Sequence, residues 1–181
     1  MKQDSEKGSK KAGKKTSEKS REVISWKCQT FDELSATSLF ELYRLRQQVF
    51  VIEQQCIYED IDATDKTALH VLGWNDGADA PSTLCATLRA YLRIMDLQDN
   101  AQTVSIGRVV IAMESRRAGI GTQLMRTALG YIDGIAPKAT ITLSAQHHLS
   151  NFYHTLGFVV ASAPYDEDGI PHVHMIKAPA F

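Results

Sequence analysis

The segment from residue 104 to residue 135 places the strongest constraint on the fold. It opens with VSIGRVVIAM (104–113), a β-branched run typical of a buried strand, and it ends in apolar residues at helical spacing. Between the two, Gly119 and Gly121 stand one residue apart. A simple turn needs one permissive residue, whereas backbone N–H groups that approach an anion closely need positions without side chains. The segment therefore predicts a strand, a phosphate-binding loop and a helix.

Two well-known phosphate motifs do not fit this loop. The dinucleotide fingerprint G-x-G-x-x-G requires a third glycine where the chain has Leu124, and its strand opens a domain, whereas three predicted strands precede this one. A P-loop ends in Gly-Lys-Ser/Thr, but the chain continues Gly-Thr-Gln. What remains is Arg116-x-x-Gly119-x-Gly121 at the start of a helix.

The remaining hydrophobic periodicities predict elements in the order β–α–β–β–β–α–β–α–β–β. The strands cover 21–31, 67–74, 83–94, 104–113 and 139–145, the other helices cover 38–53 and 148–157, and a hairpin covers 158–178. Ser38 and Glu41 form a predicted capping box. The strands of the N-terminal half are expected to be antiparallel, and the fold class is α+β or mixed α/β.

Charge divides the chain into two parts. Residues 1–21 hold eight Lys or Arg and three Asp or Glu, a balance of +5, which leaves −6 for residues 22–181. The first part has almost no large apolar residue, so it predicts a disordered basic tail before one domain, 22–181. It lacks the apolar centre of a secretory signal, and it is lysine-rich rather than arginine-rich, unlike a transit peptide. A solvated tail fits it better than a nucleic-acid-binding arm.

Neither membrane insertion nor a disulfide framework is expected. The chain has no run of eighteen apolar residues. Its three cysteines, Cys28, Cys56 and Cys85, are far apart and include no CxxC pair. Reduced thiols in a cytoplasmic protein fit this pattern best. The histidines show no tight ligand spacing, so no metal site is expected.

The loop resembles the acyl-coenzyme A site of the GNAT acetyltransferase superfamily, whose motif is (Gln/Arg)-x-x-Gly-x-(Gly/Ala) between the fourth strand and the next helix. NFYHTLGF (151–158) is similar to the Asn-x-x-Tyr-x-x-x-Gly-Phe of many members, with Asn-x-Tyr in place of Asn-x-x-Tyr. Four blocks resemble the ElaA-like branch more closely, and together they span most of residues 24–178: LRQQVFVIEQQCIYEDID, IGRVVI, QHHLSNFYHTLGF and YDEDGIPHVHM.

This resemblance implies a mixed central sheet with splayed strands, flanked by helices. It also implies an N-acetyltransferase that moves an acetyl group from acetyl-CoA to a small-molecule, peptide or protein amine, by direct transfer in a ternary complex. The residues it assigns to the cofactor fall into three groups. The first holds pantetheine and polarises the carbonyl through backbone groups of the strand: Val109, Val110 and Ile111. The second wraps the pyrophosphate with loop amides, with the two arginines beside it: Arg116, Arg117, Ala118, Gly119, Ile120, Gly121 and Thr122. The third is a single residue of the later NFYHTLGF block, Asn151.

The resemblance makes Tyr153 the candidate general acid for the departing thiolate, although a packed aromatic would fit the same helical pattern. The base that deprotonates the amine is left open among several residues and a chain of waters, with Glu53 favoured and His172 as a second candidate. The others are Glu59, Asp60, Asp62 and His70. The acidic block 53–62 can equally be a solvated loop or a surface that attracts a cationic amine.

Two questions stay open at this point. The first is whether the chain is an enzyme or a non-catalytic module that binds or senses acyl-CoA. Tyr153 and the acidic block argue against the non-catalytic module. The chain also leaves open whether it forms a homodimer.

Overall fold

A computed structural model describes residues 24–75 and 87–179, so the predicted basic tail and Cys85 lie outside the described residues. The strands are β1 (Ile24–Thr30), β2 (Leu69–Asn75), β3 (Thr87–Met95), β4 (Thr103–Ile111), β5 (Thr140–Gln146), β6 (Val159–Val160), β7 (Tyr165–Glu167) and β8 (Ile170–Lys177). The helices are α1 (Ala36–Arg46), α2 (Ile120–Ile135) and α3 (Ser150–His154), and α1 continues as a π-helical segment, Gln47–Glu53.

The described strands form one mixed sheet in the order β1-β2-β3-β4-β5-β8-β6, with β7 paired to β8. The first four strands pair antiparallel, β4 pairs parallel to β5, and β5 pairs antiparallel to β8. The prediction of a mixed α+β fold with an antiparallel N-terminal half is confirmed. A parallel connection needs a crossover, and α2 supplies it between β4 and β5.

Strands β4 and β5 separate after three residue pairs. Their ladder ends at Ser105 and Thr142, although β4 runs on to Ile111 and β5 to Gln146. On its other side, β4 carries a bulge opposite β3, where Arg108 adopts a left-handed φ of 52°. Bulges bend and twist a strand, so this one favours the divergence of β4 from β5.

The sheet is covered on both faces by helices. Five residues of α2 are buried against one face at helical spacing: Ile120, Leu124, Met125, Ala128 and Ile132. The other face packs against α1 and the π-helical segment through Leu42, Leu45, Val49 and Phe50. These two apolar layers fix β4, and with it the loop that follows, between two packed helical elements.

Two local predictions were wrong in detail. The predicted cap Ser38 lies inside α1, because Ser35 accepts the Ser38 N–H in its place (3.1 Å), so the helix begins earlier. The predicted hairpin over 158–178 forms between β7 and β8, with its turn in DEDGIP as expected, but its first arm is interrupted, and the separate strand β6 also pairs with β8. The hairpin turn lies at Asp168 and Gly169, whose φ angles of 55° and 79° suit a two-residue hairpin loop.

Candidate active site

The glycine loop forms an array of backbone N–H groups. Arg117 and Gly119 have left-handed φ angles of 61° and 80°, and right-handed Ile120 follows directly. A left-handed residue followed by a right-handed one turns successive N–H groups into one concave nest that suits an anion. The Gly119 carbonyl accepts the N–H of Gln123 (3.1 Å), so the N–H groups of Ile120 to Thr122 precede the first helical hydrogen bond.

Gly121 lies where β4, α2 and α3 meet. A Cβ at this position would stand 3.6 Å from the Phe152 ring and 3.8 Å from Ile111, which are ordinary contacts. Packing within the protein therefore does not require glycine here. A close approach by a ligand would explain it, because a larger side chain would cover the N–H groups of the nest.

Arg116 and Glu53 form an ion pair with two hydrogen bonds, of 2.6 and 2.8 Å. The Arg116 Nε also donates to the Ile111 carbonyl (3.0 Å). The hydrogen bonds from Arg116 lower the pKa of Glu53. Arg116 was predicted to lie beside the pyrophosphate and Glu53 to act as the base. In the structure, the Arg116 guanidinium instead binds the Glu53 carboxylate, and this pairing makes Glu53 a weaker base. Arg117 is exposed beside the nest.

The edge of β4 that faces the opening carries the groups predicted to hold pantetheine. The Ala112 N–H donates to Arg89 of β3 (2.8 Å), and backbone groups alternate sides along an antiparallel strand. The backbone N–H and carbonyl groups of Ile111 therefore face away from β3. The hydrogen bond from the Arg116 Nε to the Ile111 carbonyl agrees with this direction. Val110 is buried against α1, whereas Val109 is half-buried and lines the cavity beside β4.

That cavity, of about 400 Å³, occupies the space between the diverging strands. Two of the predicted catalytic residues, Tyr153 and His172, line it, and Glu53 is not among its lining residues. One wall comes from the loop after the π-helical segment, through Gln54, Cys56 and Tyr58. The facing wall comes from the hairpin β7–β8.

Tyr153 is 5% exposed and is held between two aromatic rings. The ring centroids of Phe152 and Phe158 lie 5.0 and 6.0 Å away in edge-to-face geometry. Burial raises the pKa of Tyr153 to about 12, so the phenol keeps its proton at neutral pH. Within the described residues, its hydroxyl has no hydrogen-bond partner, and a ligand in the cavity could take that hydrogen bond.

The orientation of His172 fixes its tautomer. Its Nδ1 lies 2.8 Å from the Ile170 carbonyl, which can only accept a hydrogen bond, so Nδ1 carries the proton. The neutral ring therefore presents its lone pair at Nε2. The ring also stacks on Tyr165, with centroids 6.3 Å apart. The half-buried imidazole is thus oriented as a base on the wall of the cavity.

The acidic block is neutralised by arginines that come from three other elements. Arg46 contacts Asp60 (2.9 Å) and Asp65 (2.8 Å), and Arg93 contacts Asp62 and Asp65, both at 2.8 Å. Arg108 on the bulge lies 2.6 Å from Asp60 and 3.7 Å from Asp62. We call these six residues the Arg–Asp cluster.

The Arg–Asp cluster excludes several predicted bases. Hydrogen bonds from Arg93 hold the pKa of Asp62 far below its usual value, and Asp60 is 7% exposed. His70 is fully buried, with its ring nitrogens 3.0 Å from the Tyr91 hydroxyl and 2.8 Å from the Asp65 carbonyl, and burial lowers its pKa. The interpretation of the block as a free acidic surface is therefore wrong for its aspartates.

The other predicted residues lie around this centre. Asn151 is exposed on α3, Ala118 is exposed in the loop, and Thr122 is half-buried in the first turn of α2. Glu59 is exposed and lines a separate groove beside α1. Sequence reasoning missed Glu167 and Asp168, which line the cavity and belong to the turn signal Asp-Glu-Asp-Gly.

Across residues 24–75 and 87–179, no group of three or more His, Cys, Asp or Glu side chains is placed to hold a metal ion. In the same ranges, no helix has the length and apolar character needed to cross a membrane.

Comparison with known proteins agrees with this geometry. The family model described as "Acetyltransferase (GNAT) domain" matches residues 81–179. Protein ElaA of Escherichia coli (strain K12) is 39% identical over 157 residues, which cover 86% of this chain and 97% of ElaA. The crystal structure of E. coli ElaA superimposes with a TM-score of 0.73 at 38% identity and covers 86% of this chain and 99% of that chain.

A second solved structure is equally similar. The acyl-CoA N-acyltransferase from Pseudomonas aeruginosa superimposes with a TM-score of 0.76 at 37% identity, covering 86% of this chain and all of that chain (100%). The fold, the glycine loop and these similarities lead to one conclusion: the chain belongs to the GNAT acetyltransferase superfamily and, within it, to the ElaA-like branch.

Proposed function

We propose that this protein is an N-acetyltransferase that moves an acetyl group from acetyl-CoA to an amine by direct transfer in a ternary complex. One observation carries the proposal. Gly121 of the glycine loop lies beside Ile111 at the end of β4 and beside Phe152 of α3, while the cavity that holds Tyr153 and His172 is lined by the preceding residues of β4 up to Val109. A donor bound at the loop can therefore reach an acceptor in the cavity.

The loop would hold the pyrophosphate of the donor. Its nest and the first amides of α2 present partial positive charge without side chains in the way. Arg117 adds a full charge from its exposed position. Arg116 has a different part, because its bonds to Glu53 and to the Ile111 carbonyl keep the end of β4 in place.

The free edge of β4 would hold the pantetheine arm and the thioester. Backbone groups of Val109 and Ile111 are suited to pair with the amides of the arm as a further strand would. An N–H group fixed at this edge stabilises negative charge that develops on the carbonyl oxygen, and it does so without any particular side chain. This explains why the segment can be wholly apolar.

His172 would act as the base for the amine. A lysine-like amine has a pKa of about 10.4 and must lose a proton before it attacks. Nε2 of His172 is oriented to accept that proton, directly or through one water. The amine nitrogen then forms the bond to the acetyl carbon, the carbon–sulfur bond breaks, and the second amine proton completes the thiol of coenzyme A.

Tyr153 would stabilise the departing sulfur. With a pKa raised to about 12, its phenol is protonated throughout the working range of pH. A thiol ionises near pH ~8.5, so complete transfer from Tyr153 is uphill, and a strong hydrogen bond to the thiolate is the larger part of its contribution. The proton that finally converts the thiolate to the thiol comes from the amine.

A covalent cysteine intermediate is not part of this proposal. Cys56 lines the cavity, but burial raises its pKa, and the charges of Asp168 and Asp60 raise it further. The thiol is therefore protonated at neutral pH, which makes it a poor nucleophile.

The test mixes the full chain with acetyl-CoA and a panel of amines and follows free thiol together with the mass of the amine. We expect thiol release that depends on the amine and a product heavier by one acetyl group. Calorimetric titration with coenzyme A runs beside it. Binding of coenzyme A without product from any amine would instead show a binding or sensing module.

A further inference from the structure

We propose that the acceptor is a small diamine, whose second, cationic nitrogen is bound by Glu167 and Asp168 at the hairpin β7–β8. This inference rests on the proposed function, because it assigns a substrate class to the same cavity. It differs from the expectation drawn from the acidic block, whose aspartates are neutralised.

The hairpin places these carboxylates on the same wall as the base. In the register of β7 and β8, Tyr165 is opposite His172, and Glu167 is opposite Ile170. Residues opposite one another, or two apart on one strand, share a face of a sheet. Glu167, Ile170 and His172 accordingly all line the cavity, and Asp168 at the turn lines it too.

The charges of the cavity leave these two carboxylates without a cation. Arg93 and Arg108 also line it, but both belong to the Arg–Asp cluster, in which three arginines meet three aspartates. Within the described part of the chain, neither Glu167 nor Asp168 forms an ion pair. Near neutral pH, the wall therefore keeps a surplus of two negative charges for a ligand.

Glu167 is held in position before any ligand binds. Ser144 Oγ donates to its carboxylate (2.8 Å), and the Tyr165 hydroxyl lies 2.6 Å from the same oxygen of Ser144. A carboxylate fixed in this way loses little freedom when a cation binds, which favours affinity.

A second observation marks this cavity as a ligand site. Tyr153 is 95% buried and lines the cavity, and its hydroxyl has no partner within the described residues. The hydroxyl is not among the fully buried polar atoms that lack a partner, so a ligand or water in the cavity can take its hydrogen bond. The carboxylates proposed to bind the cation and the reaction centre therefore belong to one cavity.

The spacing along the hairpin sets the length of the acceptor. Glu167 is two residues from the level of His172, which corresponds to about 7 Å along a strand. This is about the reach of the four-carbon stem of a lysine. An unbranched diamine of this length would place one amine at His172 and the other at the carboxylates.

The experiment compares three unbranched amines with the same number of carbons at saturating acetyl-CoA: cadaverine, pentylamine and the five-carbon ω-amino acid. We expect KM to be lowest for cadaverine and about 10-fold higher for pentylamine, which lacks one charge-assisted hydrogen bond. KM should be highest for the amino acid, whose carboxylate is repelled by Glu167 and Asp168.

Glu167→Gln and Asp168→Asn should raise KM for cadaverine and leave KM for pentylamine nearly unchanged. Asp133→Asn, at an exposed position on α2, is the matched control and should change neither KM.

Three outcomes separate the two proposals. A KM for pentylamine equal to that for cadaverine, or a cadaverine KM that the hairpin variants leave unchanged, would overturn the diamine inference and leave acetyl transfer standing. Faster acetylation of a lysine-containing peptide than of cadaverine would also overturn it, in favour of a peptide substrate. Binding of coenzyme A without thiol release from any of these amines would contradict both proposals together.

Discussion

Glu53 and Arg116 are 63 positions apart in the chain, and they are joined by two hydrogen bonds of 2.6 and 2.8 Å. Arg116 also donates to the Ile111 carbonyl, so one guanidinium connects the π-helical segment to the end of β4. The wall of the cavity and the loop that we assign to the pyrophosphate are thereby tied together.

Glu53→Gln distinguishes this structural role from general-base catalysis. We expect kcat and the shape of its pH profile to stay close to wild type, because Glu53 is engaged by Arg116 and does not line the cavity.

The free energy of unfolding should fall by about 1 kcal/mol or less in Glu53→Gln, since the side chains of Glu53 and Arg116 are about one-third exposed. The pKa of Glu53 is lowered in the folded state, so its stabilisation is present above the unfolded pKa of about 4.3 and is lost as pH falls below it.

Melting temperatures from pH 3 to pH 8 would check this, and the difference between wild type and Glu53→Gln should vanish at the acid end. His172→Ala is the contrasting variant. It should lose turnover and recover part of it with added imidazole. A large loss of kcat in Glu53→Gln, with no imidazole rescue of His172→Ala, would return the base assignment to Glu53.

Arg46→Ala tests the Arg–Asp cluster. Arg46 is fully buried and contacts both Asp60 and Asp65, so its removal leaves three buried or half-buried aspartates facing only the two remaining arginines. We expect a loss of about 3–5 kcal/mol in the free energy of unfolding, measured by urea denaturation. Arg44→Ala, on the same helix with a partly exposed pair to Glu41, should cost about 1 kcal/mol or less. Equal costs for the two variants would contradict the central place of Arg46.

Gly121→Val tests the pyrophosphate assignment. A Cβ fits at 3.6 Å from Phe152, so the domain should fold, but the branched side chain would cover the nest. We expect a loss of coenzyme A affinity of about 100-fold or more in calorimetric titration. Gly130→Val makes the same change of residue type in the same helix, with nothing within 4 Å of its Cβ, and should keep its affinity. Unchanged affinity in folded Gly121→Val would remove the pyrophosphate from this loop.

Local patterns predicted much of the fold and part of the site. Gly119 has a left-handed φ of 80° that favours glycine, a requirement that the residue type itself indicates, and Tyr153 and His172 belong to short blocks with their own strand or helix. The partners of Glu53, Asp60 and Asp62 were not predictable, because they come from α1, β3, β4 and the glycine loop. Ion pairs across such distances leave no periodic signal. The bulge at Arg108 escaped prediction because it depends on the pairing of β4 with β3 rather than on its own residue type. The cap at Ser35 was missed because Ser38, three residues later, has the same side chain and the same preference for the N-cap.

The most direct measurement of catalysis compares wild type and Tyr153→Phe in one assay of amine-dependent thiol release, with coenzyme A affinity measured on both proteins. Phenylalanine keeps the ring between Phe152 and Phe158 and removes only the hydroxyl. We expect acetylated amine and an equal amount of free thiol from wild type. For the variant, we expect unchanged affinity with kcat lower by about 10²-fold. Wild-type protein that binds coenzyme A but forms no acetylated amine would contradict acetyl transfer, and a variant with unchanged kcat would contradict the role of Tyr153.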